Sequence, residues 1–169
     1  MMKRSLLCLT LIAAALWGAS SAAADRAVAG FQKIKALTGD WDGKDEKGNP
    51  VKTSFKNIVS DTTVMETLAI HSNHEMITLY NLDADGIALL HYCPTNNQPR
   101  MRAIPAAGDV KELSFIFQGA GNLPDPAVGH MHKLILQFQD KDHIIEHWTW
   151  RQNGKDAEMI YNFTRKPAN

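Results

Sequence analysis

After Trp41 the chain settles into short runs in which apolar and polar residues alternate with period two, each bounded by turn-forming residues. This pattern predicts about ten strands, near residues 40–47, 51–59, 62–70, 75–82, 87–93, 99–104, 111–118, 130–139, 143–152 and 155–165. The connections carry turn chemistry: Lys47-Gly48-Asn49-Pro50, Ser60-Asp61, Asp83-Ala84-Asp85-Gly86 and Asn153-Gly154, of which Asn-Gly is the strongest hairpin signal. One long connection, Gly119 to Gly129, is rich in Gly and Pro. Ahead of the strands, Val28, Phe31, Ile34 and Leu37 recur every three residues and suit a short amphipathic helix over 25–37. A series of hairpins in one domain must close or stack to remove its edges. The expected fold is therefore all-β: a closed antiparallel up-and-down barrel of about ten strands with a short N-terminal helix.

The hairpins constrain which face is inside. With Asn153-Gly154 as a two-residue turn, Trp150 pairs with Ala157, Trp148 with Met159, Glu146 with Tyr161 and Ile144 with Phe163. With Asp140-Lys141-Asp142 as a three-residue loop, Phe138 meets Ile144, Leu136 meets Glu146, Leu134 meets Trp148 and His132 meets Trp150. The apolar faces then agree across both hairpins, whereas a two-residue loop would oppose them. The Ser60-Asp61 turn pairs Phe55 with Glu66, Thr53 with Leu68 and Val51 with Ile70, giving an inner face of Val51, Phe55, Val59, Val64, Leu68 and Ile70 with Glu66 among them. The interior is thus apolar and aromatic, with Glu66, His130, His132, Glu146 and Tyr161 as polar intruders. A buried carboxylate is costly unless it is hydrogen-bonded or faces a wet cavity. Local pairing and a polar-lined cavity both explain these residues, and a ten-stranded barrel is wide enough for a cavity.

Composition narrows the setting. Lys3 and Arg4 precede an apolar run from Leu6 to Trp17 and the small residues Ala22-Ala23-Ala24, the layout of a cleavable signal peptide over residues 1–24. The domain is then 25–169, and the protein is expected to be secreted, in the periplasm, with no stable membrane anchor. Removing Lys3 and Arg4 takes the net charge from zero to about two negative, and no basic patch suggests nucleic acid as a partner. Cys93 remains as a single cysteine, so a packed core rather than an internal disulfide must hold the domain.

Several groups could carry chemistry. His130 and His132 point the same way from one strand and, with Glu146, could bind a divalent metal; the alternative is a pair of hydrogen-bonded rim histidines. Glu66 and Glu146 could form a paired-carboxylate acid/base site. His91 shares a strand face with Cys93, Thr78 and Tyr80, but that face is as apolar as its opposite, so the pattern leaves its direction open. His71 and His74 flank a solvated loop, and Arg100 and Arg102 fit a solvated outer face. No G-x-S-x-G, P-loop or H-E-x-x-H motif is present.

Gly39-Asp40-Trp41 at the entry to the first strand, with Arg165 at the end of the last, resembles the lipocalin pattern. There the tryptophan closes one end of the barrel and a C-terminal basic residue packs across it. The stretch Leu37-Thr38-Gly39-Asp40-Trp41-Asp42-Gly43 is also similar to the opening of nitrobindin-type haem barrels. The segment from His91 to Met101 resembles one found in secreted bacterial proteins of the same broad class. The resemblance implies a calycin-type barrel that binds a small molecule. Nitrobindin-type barrels place a histidine inside near the C-terminus, whereas the register here turns His147 outward.

These observations point to a small-molecule-binding barrel holding a partly apolar ligand in its lumen. The ligand contacts expected are Phe55, Glu66, His132, Glu146, Trp148, Trp150 and Tyr161, with the 119–129 loop as a lid. Metal or haem binding through His130 and His132, and a small-substrate enzyme using Glu66 and Glu146, are the alternatives.

Overall fold

The computed structural model describes residues 22–70 and 75–167. The expected leader, residues 1–24, lies outside the described residues except for its last three, as do His71 and His74. A helix, α1, covers residues 22–35. Ten strands follow: β1 (Gly39–Asp45), β2 (Pro50–Ile58), β3 (Thr63–Ala69), β4 (Glu75–Asp83), β5 (Gly86–Tyr92), β6 (Gln98–Ala103), β7 (Glu112–Gly121), β8 (His130–Phe138), β9 (His143–Gln152) and β10 (Lys155–Arg165). Each pairs antiparallel with its sequence neighbours, and β1 also pairs with β10, so the sheet closes into a barrel. Closure removes both sheet edges, the requirement that the hairpin series imposes. No helix among the described residues is long and apolar enough to cross a membrane.

The two-residue Asn153-Gly154 turn pairs Trp150 with Ala157 and Glu146 with Tyr161, as its chemistry predicts; both turn residues take positive φ. The 140–142 loop sets Phe138 opposite Ile144 and Leu134 opposite Trp148. At the next step the expected register fails. Met131, not His132, pairs with Trp150, because an irregularity between Met131 and Lys133 inserts an extra residue into β8. The Ser60-Asp61 connection keeps its expected register, with Phe55 opposite Glu66 and Thr53 opposite Leu68, but Val59, Ser60 and Asp61 all have positive φ. Val59 therefore leaves the inner face and is 68% exposed.

Helix α1 covers one end of the barrel. Its buried residues are Ala27, Phe31 and Ile34, followed by Leu37. They follow the i, i+4, i+7 spacing of a helical face, so Val28, expected among them, instead points away and is 45% exposed. Gly30 allows the close approach: a Cβ there would stand 3.0–3.2 Å from Pro105, Ile87 and Leu113. Trp41 and Arg165 seal the same end. The Trp41 indole donates to Leu37 O at 2.9 Å, and the Arg165 guanidinium lies 4.2 Å from the centre of the Trp41 ring. Arg165 also donates to the carbonyls of Ala36, Thr38 and Lys141, at 2.9, 2.8 and 3.1 Å. The bonds to Ala36 and Thr38 take up carbonyls just past the helix C-terminus, and the bond to Lys141 ties in the β8–β9 connection.

Candidate functional site in the barrel lumen

Alternation along the strands builds one polar level inside an otherwise apolar barrel. Phe55 of β2 pairs with Glu66 of β3, Glu66 with Thr78 of β4, and Thr78 with His91 of β5. All four side chains are buried. Glu146 enters from β9, between Leu136 on β8 and Tyr161 on β10. Glu66 and Glu146 each have 0% of their surface exposed.

The two buried carboxyl groups act on each other's titration. Glu66 also accepts from the Thr53 hydroxyl, at 2.9 Å, and from the Tyr80 hydroxyl, at 2.6 Å. Both of its oxygens thus receive donors, and the short Tyr80 bond is in the range of a charge-assisted contact. Glu146 receives only the Trp148 indole N–H on Oε2, at 2.9 Å, while its Oε1 meets no donor. An oxygen that meets no donor is the one suited to carry a proton, which makes Glu146 the natural acid of the pair and Glu66 its acceptor. Burial, then the Glu66 charge and hydrogen bond, hold Glu146 well above the usual carboxylate range. Burial raises Glu66 as well, against the lowering effect of its Glu146, Tyr80 and Thr53 bonds. Tyr80 is pushed well up by burial and by the two carboxyl groups, and Tyr161 to about 12, chiefly by burial.

His91 completes the level. Its Nδ1 lies 3.0 Å from Thr78 Oγ1 and its ring centre 4.8 Å from that of Trp148. Nε2 is buried and has no hydrogen-bond partner. Burial lowers its pKa to about 4, so the ring is neutral at pH 7. Cys93 lies beyond the end of β5, where its backbone bonds that of Asn97, so it does not share an extended strand with His91.

The other histidine pair sits in a different environment. Arg151 Nη1 is 2.6 Å from His132 Nε2, His132 Nδ1 is 3.2 Å from His130 Nε2, and His130 Nδ1 is 2.8 Å from Val128 O. A guanidinium only donates and a carbonyl only accepts, so the chain of protons has one direction. Arg151 donates to His132, His132 to His130, and His130 to Val128. Both rings are neutral, and both lone pairs are occupied. Burial, then the charge of Arg151, lowers the pKa of His132. Phe117 packs on both rings, each at 4.8 Å between centres. Among the described residues, no group of three or more His, Cys, Asp or Glu side chains is gathered in a way that could hold a metal.

Of the seven expected ligand contacts, the fold brings Phe55, Glu66, Glu146, Trp148 and Tyr161 into the interior, all buried. Trp150 is half-buried over Gly129, and the β8 irregularity places His132 with Arg151. Thr53, Thr78, Tyr80 and His91 complete the polar level and were not among the expected contacts. Their signal was present, since Thr78 and Tyr80 share the His91 face. The opposite face, with Ile77, Leu79 and Leu90, is equally apolar, and only barrel closure decides between them. The outer arginines behave as expected: Arg102 pairs with Asp83 and Asp85, at 2.8 and 2.5 Å. A cleft of about 620 Å³ lies beside α1, lined by Lys33, Lys111, Phe138, Lys141 and Arg165 among others, and none of the polar lumen residues borders it.

Compared with known protein families and with curated proteins, the chain matches none.

Proposed function

We propose that this protein is an exported, periplasmic small-molecule-binding barrel, related to the lipocalin-like class, whose lumen takes a partly apolar ligand through the end opposite α1. The observation that carries this reading is the buried, partnerless Nε2 of His91, whose ring packs against Trp148, the indole that bonds Glu146. A native core seldom leaves a ring nitrogen desolvated and unbonded, since that costs about 1–3 kcal/mol. A ligand that bonds to it recovers this loss. The two ends of the barrel support the direction of entry. One is sealed by the helix, Trp41 and Arg165. The β5–β6 and β9–β10 turns belong to the other end, where Met76, Met131 and Met159 contribute unbranched side chains that can swing aside.

A titration of the protein with small aromatic and aliphatic compounds, followed by tryptophan fluorescence, tests this. Trp148 stands against His91, so saturable quenching or enhancement that is lost in His91→Ala is the expected result. Saturable binding that His91→Ala leaves unchanged removes the lumen as the site.

A further inference from the structure

The lumen carries an unanswered charge. Glu66, with donors from Thr53, Tyr80 and Glu146, is the ionised member of the pair. Among the described residues, no lysine or arginine is buried beside it. The other groups around the pair are the neutral hydroxyls of Tyr80 and Tyr161 and the Trp148 indole, against which the neutral His91 ring packs. An ion held in a low-dielectric interior without a counterion favours any cation that reaches it. Once the shared proton is gone, Glu146 Oε1 and the Glu66 carboxylate present acceptors, and His91 Nε2, on the ring that packs against Trp148, is a further one. Nε2 offers its lone pair when Nδ1–H donates to Thr78. A primary ammonium group has three N–H donors to match. The Trp148 face adjoining His91, and the Tyr80–Phe115 pair with centres 5.6 Å apart, add aromatic surface that attracts a cation and packs its organic body.

We infer that the lumen ligand is a primary organic amine, bound as its ammonium form, whose head group replaces the proton shared by Glu66 and Glu146. The inference rests on the lumen-binding reading above and names its ligand class. The exchange balances: one ammonium enters, one proton leaves, and the pair goes from one negative charge to two. Binding therefore releases about one proton per ligand at neutral pH. A carboxylate of the same size would meet the existing negative charge and is rejected.

Three matched probes test this by calorimetric titration of the protein at pH 7, in phosphate and in Tris: phenethylamine, 2-phenylethanol and 3-phenylpropionate. The difference in heat between the buffers counts protons. Phenethylamine is expected to bind at least about tenfold more tightly than either of the others and to release about one proton. Glu146→Gln keeps a neutral group at this position and is expected to abolish the release and weaken the amine by about tenfold, with near-UV circular dichroism reporting that it folds. Amine binding without proton release overturns the inference. Equal or tighter binding of the alcohol or the carboxylate also overturns it, while leaving the lumen-binding reading in place. If none of the three binds, the amine class is excluded, and a co-purifying mass seen by native mass spectrometry then separates a different lumen ligand from no ligand at all.

Discussion

Glu66 and Glu146 come from β3 and β9, far apart in the chain, yet their fully buried carboxyl groups act on each other inside the barrel. Four donors surround the pair unequally. Thr53, Tyr80 and the Glu146 acid point to Glu66, and the Trp148 indole points to Glu146. The asymmetry predicts different costs for the same change. Glu146→Gln keeps a neutral donor toward Glu66 and should lower stability by about 1 kcal/mol or less. Glu66→Gln replaces a carboxylate that accepts on both oxygens with an amide whose nitrogen opposes one of those donors, and should cost about 2–4 kcal/mol. Urea denaturation at pH 7 measures both. Equal losses would contradict the assignment of the proton to Glu146.

The pair also sets a pH dependence. The folded-state pKa of Glu146 lies well above its ordinary value of 4.5, with burial as the main cause. Above pH 4.5 the unfolded chain gives up this proton while the folded chain keeps it. The stability from the neutral acid is therefore complete below about pH 4.5 and is lost as pH rises through the raised folded value. The wild type should lose stability between pH 5 and pH 9 more steeply than Glu146→Gln, in a series of urea unfolding curves.

His91 acts in the opposite sense. Its folded pKa is lowered from 6.5 to about 4 by burial. The stability linked to the neutral ring is present above pH 6.5 and falls as pH drops toward 4, by about 3 kcal/mol in all. His91→Gln should flatten this acid limb. An acid limb of unchanged slope in that variant would show that His91 is not the group titrating.

How far the sequence revealed these features depended on the turn. Asn153-Gly154 and the 140–142 loop left a single register that kept the apolar faces together, so the β8–β9–β10 wall, with Glu146, Trp148 and Tyr161 inward, was readable in advance. The irregularity at His132 had no mark in the alternation, because His130, Met131 and His132 fit either phase. Val59 looked like a core residue by its position in the period. The left-handed backbone of the 59–61 turn, which nothing in Val59-Ser60 announces, takes it out. His91 was undecided for a different reason: β4 and β5 are apolar on both faces, and only closure of the barrel assigns one of them to the lumen.

The seal at the helix end should fail with Arg165. Arg165→Ala removes the donors to Ala36, Thr38 and Lys141 and the stack on Trp41. A loss of about 2–4 kcal/mol is expected, with faster amide exchange in residues 22–37. Exchange that stays as slow as in the wild type would mean that apolar packing of Phe31 and Ile34 alone holds the helix.

At the other histidine pair, the proton chain predicts that Arg151 keeps the His132 lone pair from an added metal ion. Both lone pairs of His130 and His132 are occupied, the second by Arg151. Arg151→Ala should free His132 Nε2 and raise the affinity for added zinc ion by about tenfold. Equal zinc affinity in the two proteins would show that the chain does not hold these lone pairs.

The proposed ligand is a small organic molecule held in the lumen by His91 and the acid pair. Native mass spectrometry of the protein purified from its own cells tests this most directly. A co-purifying organic mass that is retained by the wild type and lost in His91→Ala is the predicted result. A clean ligand-free mass for the wild type, with no small molecule recovered on denaturation, would contradict it and leave the polar level as a sealed part of the core.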